Sequence, residues 1–125
     1  MAKVRAIGGI FFKSPDEKKL YAWYEKHLGI AAKPGEGVTF PWRRADDASQ
    51  EEMTVWSIFP ATTKYFKDSK AEFMVNYIVD DLDATLAELR AAGAAVDDNV
   101  ESYEYGRFGW ITDPDGNRIE LWQPR

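Results

Sequence analysis

Glu120 is the residue of this chain best placed to do chemistry, because of what precedes it. The stretch Asp113-Pro114-Asp115-Gly116-Asn117-Arg118-Ile119-Glu120-Leu121 reads as a tight turn feeding a strand. Pro114 fixes φ near the value that the first corner of a turn needs, and Asp115-Gly116 supplies a positive-φ corner that lets strands reverse without splaying. Residues 108–112 and 117–122 both read as strands. The hairpin therefore aims one carboxylate along one face of a sheet. A carboxylate on an apolar face holds its proton more tightly than one in water, which suits proton abstraction. The chain has no Cys, so neither disulfides nor thiolate metal sites arise, and its one His, His27, falls in a helical stretch as a packed or exposed residue.

The elements that must position Glu120 form a repeated plan. Residues 5–13 are an apolar strand-like run. Ser14-Pro15-Asp16-Glu17 then opens a helix, with Ser14 as cap, Pro15 at the first helical position and Glu17 closing a capping box. Leu20, Trp23, Tyr24, His27 and Leu28 share one face of that helix, and Gly29 ends it. The second half starts again with the alternating residues 73–79. Asp80 or Asp81 caps a helix carrying Leu82, Leu86 and Leu89, which stops at Gly93. Strand-like runs follow each helix, at 38–42 and 54–59, then at 108–112 and 118–122, with 43–52 and 97–105 as polar loops. The unit reads as β-α-β-β-β used twice: module one over about 1–60, a linker over 61–70 with a helical turn at 63–66, and module two over about 71–125. One such unit cannot bury both faces of its sheet, so the two halves make a single domain.

Size and composition set the class. A chain of 125 residues that is 45% hydrophobic and 14% aromatic, with five Trp, builds one solid core. A net charge of −5 argues against nucleic acid and anionic membranes as partners. No apolar run approaches membrane-spanning length, so a soluble, cytoplasmic protein is expected.

The order of these pieces resembles the vicinal oxygen chelate superfamily of glyoxalase I, bleomycin resistance proteins and type I extradiol dioxygenases. The matching pieces are the first strand with Asp16, Trp23-Tyr24 and Leu28-Gly29, then strand 73–79 with Asp80-Asp81 and Gly93, then Asp113-Pro114-Asp115-Gly116-Asn117 with Ile119-Glu120-Leu121. The resemblance implies an α+β fold of two β-α-β-β-β modules curling into an eight-stranded cup. It also implies four inward positions that hold a divalent metal in the family's enzymes. Counting the family's spacing back from Asp16 gives Gly9, and from Asp81 gives Met74. Glu120 is the last-strand position, and aligning Trp56-Ser57-Ile58-Phe59-Pro60 with Glu120-Leu121-Trp122-Gln123-Pro124 adds Trp56. Gly, Trp and Met are not ligands for a hard or borderline cation. No metal and no other cofactor is therefore expected.

Strand parity then assigns the cup lining: Ile7, Gly9 and Phe11; Thr54, Trp56 and Ile58; Met74, Asn76 and Ile78; Arg118, Glu120 and Trp122. An apolar lining with sparse polar groups suits a small molecule. The rim segment 103–110 adds Arg107 for charge-assisted contacts. Two readings of this face stand: an open pocket, or a core filled by its aromatics with Glu120 held by Arg118 or Arg107. Three functions follow. The first is a metal-independent protein that binds a small aromatic or amphipathic molecule in a homodimer, with Gly9, Phe11, Trp56, Met74, Asn76, Arg107 and Trp122 around it. The second is a lyase or isomerase resembling glyoxalase I, with Glu120 as catalytic base. The third, a metal-dependent dioxygenase, lacks its ligand set.

Overall fold

A computed structural model describes residues 3–33 and 35–125; Met1, Ala2 and Pro34 lie outside them. The chain runs β1 (Val4–Ser14), α1 (Glu17–Leu28), β2 (Val38–Arg43), β3 (Glu51–Pro60), β4 (Phe73–Val79), α2 (Leu82–Ala91), β5 (Ala95–Tyr103), β6 (Gly106–Thr112) and β7 (Arg118–Pro124). The strands form one mixed sheet in the order β2-β3-β1-β4-β7-β6-β5. β1 and β4 pair antiparallel at its centre, and each pairs in parallel with the last strand of its own half, β3 and β7.

This is the α+β, glyoxalase-like plan with seven strands among the described residues rather than eight. The second half has the expected β-α-β-β-β order. The first half lacks one strand because Gly35 and Gly37, at φ 85° and 67°, turn the chain back within a single bridge between Lys33 and Gly37. Residues 97–105, read as a polar loop, instead belong largely to β5. That strand is an edge, so its Asp, Asn and Glu side chains meet solvent, and a bulge sits between Val96 and Val100.

Both helices cover one face of the sheet. α2 sets Leu82 and Leu86 against Val79 and Leu121, all at most 2% exposed. α1 buries Tyr21, whose hydroxyl donates to the Ile58 carbonyl at 3.2 Å, with Leu20 and Tyr24 beside it. The expected stripe is rotated, since Trp23 and Leu28 are half exposed or more. The cap is Asp16 rather than Ser14: the Asp16 carboxylate accepts from the Lys19 N–H, while Ser14 Oγ accepts from the Asp16 N–H. Among the described residues no helix is long and apolar enough to cross a membrane.

The other face is concave, and the 61–70 segment folds into it. Phe66 is fully buried there among Phe11, Met74 and Trp110. Phe66 thus fills the middle of the concavity; it lines one cavity, and a second is bounded by its neighbours Phe11 and Tyr65.

Candidate active site

The register lines up one transverse row of residues: Val55 pairs with Gly9, Gly9 with Asn76, Asn76 with Glu120, and Glu120 with Trp110. Lateral neighbours on one face stand about 5 Å apart, so the side chains of Asn76 and Trp110 flank Glu120. Asn76 Nδ2 donates to Glu120 Oε1 at 2.5 Å, and Trp110 Nε1 donates to Oε2 at 3.1 Å. The Tyr65 hydroxyl, brought in by the 61–70 segment, also donates to Oε2. Glu120 is 2% exposed and has no cation within salt-bridge distance among the described residues. Arg118 pairs with Asp97, and Arg107 forks onto Asp83 at 2.9 Å on the opposite face.

Burial pushes the Glu120 carboxyl above the usual carboxylate range, although the hydrogen bonds from Tyr65, Asn76 and Trp110 and the charge of Arg118 pull the other way. Burial and the nearby Glu120 charge raise the Tyr65 phenol further above its ordinary value, so it stays protonated and donates.

The carboxylate faces a cavity of about 610 Å³. Its floor includes Gly8, Phe11, Asn76, Ile78 and Trp122 beside Glu120, with Phe108 and Tyr105 rising to the rim. Gly8 makes the hollow. It is the extra residue of a bulge in β1, and a Cβ there would press on Asn76 Oδ1 and come within 2.8 Å of Ile78 and Trp122. Into that hollow faces a second acceptor. Asn76 is 2% exposed and its Oδ1 has no hydrogen-bond partner. The wall is aromatic: Trp122 stacks on Phe108 at 5.8 Å, and its Nε1 donates to the Tyr105 carbonyl at 3.1 Å.

Of the residues singled out from sequence, Glu120, Phe11, Asn76 and Trp122 line this cavity. Gly9 lies just beneath it, covered by the Phe11 ring, which a Cβ would meet at 2.7 Å. Met74 is buried in the plug cluster with Phe66. Trp56 is displaced to the other face, where it packs on Phe12, Tyr21 and Tyr24, and Ile58 goes with it. The row explains the slip. The central antiparallel pair relates Gly9 to Asn76, so Val55 corresponds to Glu120, one residue before Trp56. Ile7 is 48% exposed, and Thr54 Oγ1 donates to its carbonyl outside the cavity. Arg107 faces away as described. The filled-cup reading holds for the middle of the face, through Phe66, Met74 and Trp110, but neither Arg118 nor Arg107 holds Glu120. Tyr65, Trp110 and Gly8 went unread as site residues. The signals for them were two adjacent aromatics in an otherwise polar linker and the Phe108/Trp110 alternation.

The row that carries Glu120 holds Val55, Gly9 and Asn76, and Met74 lies apart in the plug cluster. No three His, Asp or Glu side chains are clustered to hold an ion among the described residues. These residues do not fit a divalent metal.

Residues 9–122 match a family model described as a glyoxalase-like domain. No curated protein matches the chain by sequence. Among solved structures, the methylmalonyl-CoA epimerase of Mycobacterium tuberculosis is similar at 19% identity with a TM-score of 0.66, covering 98% of this chain and 89% of its own. A Streptomyces coelicolor methylmalonyl-CoA epimerase in complex with 2-nitronate-propionyl-CoA is similar at 16% identity and 0.68, covering 98% and 99%. A Legionella pneumophila structure named as an NAD-dependent benzaldehyde dehydrogenase is similar at 11% and 0.56, covering 94% and 98%. At these identities the likeness shows the fold alone.

Proposed function

The chain belongs to the glyoxalase-like domain family, within the vicinal oxygen chelate superfamily, and from that premise we propose that it is a metal-independent isomerase in which Glu120 moves a proton on a small bound molecule. One observation carries this reading: a carboxylate with no ion-pair partner among the described residues, held by neutral donors and with its proton affinity raised by burial, faces an open cavity that has an aromatic wall and also takes in the charged side chains of Arg5, Arg44, Glu51 and Glu52. A base poised above the ordinary carboxylate range takes and returns a proton near neutrality better than a free one.

The step is a one-base shift. A C–H bond next to a carbonyl breaks, its proton goes to Glu120, and its electron pair passes to the carbonyl oxygen. The same carboxyl then returns the proton from the same face to a different carbon, the γ carbon of a β,γ-unsaturated carbonyl compound, as the electron pair on oxygen re-forms the carbonyl and the C=C bond shifts into conjugation, so no redox partner is needed. Asn76 serves both stages. While Glu120 is ionised, Nδ2 holds it and Oδ1 accepts from a substrate hydroxyl or amine. Once Glu120 carries the proton it donates to Oδ1, and the turned amide offers Nδ2 to the new oxyanion. The wall of Phe11, Phe108 and Trp122 suits a compact aromatic or amphipathic substrate. The proposal includes a cytoplasmic homodimer, for which Phe40 and Met53, 45% and 40% exposed on the β2–β3 hairpin, supply apolar surface; light scattering giving the mass of one 14.3 kDa chain would refute it.

A second reading, sequestration of a compound without turnover, is favoured by the three donors that saturate Glu120. The test is NMR-detected C–H exchange in D2O over a panel of carbonyl carbon acids, including methylmalonyl-CoA because two similar structures are its epimerases. Loss of a C–H signal with wild type and its retention with Glu120→Gln supports the isomerase. Compounds that quench Trp fluorescence saturably yet never exchange would establish sequestration instead.

A further inference from the structure

Beyond the Phe66 plug the concave face carries a second cavity, of about 440 Å³, that the Glu120 chemistry does not use. Lys67, Ser69 and Arg118 line it. Arg118 is 8% exposed. Its Nη1 donates to Asp97 at 3.1 Å and its guanidinium lies over the Trp110 ring at 5.1 Å. Its Nε has no hydrogen-bond partner. A buried guanidinium N–H left without an acceptor is costly, and its planar edge is shaped for an oxyanion. Two further donors stand in the same wall. Lys67 forms no ion pair among the described residues, yet stands close enough for its charge to act on Asp97. Ser69, 9% exposed, accepts from the Ala71 N–H at 3.3 Å, which leaves its hydroxyl proton to donate.

We propose that this cavity is a binding site for a small oxyanion, a carboxylate or phosphate group, held by the Arg118 guanidinium, Lys67 Nζ and the Ser69 hydroxyl. Asp97 and Asp68 share the wall. Asp97 is engaged by Arg118, and the two acids balance the charges of Arg118 and Lys67, so the wall carries no net positive charge and favours a singly charged group over a dianion. The site also touches the first cavity through one side chain. The Trp110 ring lies beneath Arg118 while its N–H binds Glu120, so the indole spans the two.

The experiment titrates 15N-labelled full-length protein with acetate and, separately, inorganic phosphate at constant ionic strength, following the Arg118 Nε–H resonance. The expected result is a saturable shift with a Kd of about 1 mM or tighter. Lys67→Gln changes an exposed side chain, so the fold and melting temperature stay as in wild type, and it weakens binding about fivefold, the effect of one partly exposed charge pair. Saturation by acetate alone assigns a carboxylate ligand, and by phosphate alone a phosphate group. An Arg118 Nε–H that neither anion moves, or that both move linearly and identically in wild type and Lys67→Gln, overturns the site.

Discussion

Replacing Tyr65 with Phe isolates one hydrogen bond to the buried acid. The ring contacts survive the change: Tyr65 stacks on Phe59 at 5.5 Å and 6°, and meets Trp110 edge-on at 6.2 Å. Only the hydroxyl that donates to Glu120 Oε2 is lost. A hydrogen bond to a charged group contributes about 1.5–3 kcal/mol, and because Tyr65 is only partly buried the lower part of that range, about 1.5–2 kcal/mol, applies here. With an unfolding entropy of about 2.1 cal/mol/K per residue, a chain of 125 residues loses roughly 6–8 °C in Tm. The loss must also depend on pH. Burial already raises Glu120 in the folded protein, and the Tyr65 bond pulls it back down, so the variant raises it further. Ionisation of a group whose folded-state proton affinity exceeds its unfolded one costs stability as pH rises through the folded value. The gap between wild type and Tyr65→Phe is therefore widest where Glu120 is ionised, at the alkaline end. It narrows in acid, where the bond joins two neutral groups worth about 0.5–1.5 kcal/mol. Paired thermal melts at about pH 5 and 8 give the readout. A Tm difference under about 2 °C, or one of equal size at both pH values, would refute an ionised Glu120 held by this hydroxyl.

Glu120→Gln should abolish any proton-transfer activity while leaving the protein at least as stable as wild type at pH 8. The Gln carbonyl can accept from Tyr65 and Trp110, and its amide finds the unpaired Asn76 Oδ1 after that amide turns. Wild-type stability should fall as pH rises from the unfolded Glu range near about 4.3 through the raised folded value, and the Gln melting curve should stay flat there. A Gln variant that melts well below wild type at pH 8 would show that the charge itself stabilises the fold. Phe66→Ala removes a fully buried ring and should cost about 3–5 kcal/mol in urea unfolding; a loss below about 1 kcal/mol would mean that the plug is not packed as described. Untagged protein should carry no stoichiometric Zn, Ni, Mn or Fe, and chelator should not change its melting temperature. Elemental analysis near one metal per chain, lost in Glu120→Ala, would overturn the metal-free site.

Local rules made the hairpin before Glu120 legible, along with both helices and the faces of β4 and β7. Turn chemistry and strand alternation act within a few residues, so Met74, Asn76 and Ile78 share one face of their strand, as Arg118, Glu120 and Trp122 do of theirs, and the sequence alone determined that Glu120 shares its face with Arg118 and Trp122; that this face lines a cup was what the resemblance implied. What it left undecided is set by partners distant along the chain. Trp56 went to the helical side because β3 takes its register from β1, and one residue of slip inverts every side chain. Gly8 became the hollow because the β1 bulge shifts parity midway through the strand. β5 is polar because it is an edge, a property of the finished sheet. Tyr65 reaches Glu120 across 55 residues of chain, carried by a linker whose path follows from the burial of Phe66. Whether Glu120 had a cation beside it was also a tertiary matter: Arg118 lies two residues away on the same strand face, yet Asp97 of β5 takes its charge. Alternation specifies which side a group occupies, and only the packed structure specifies what waits for it there.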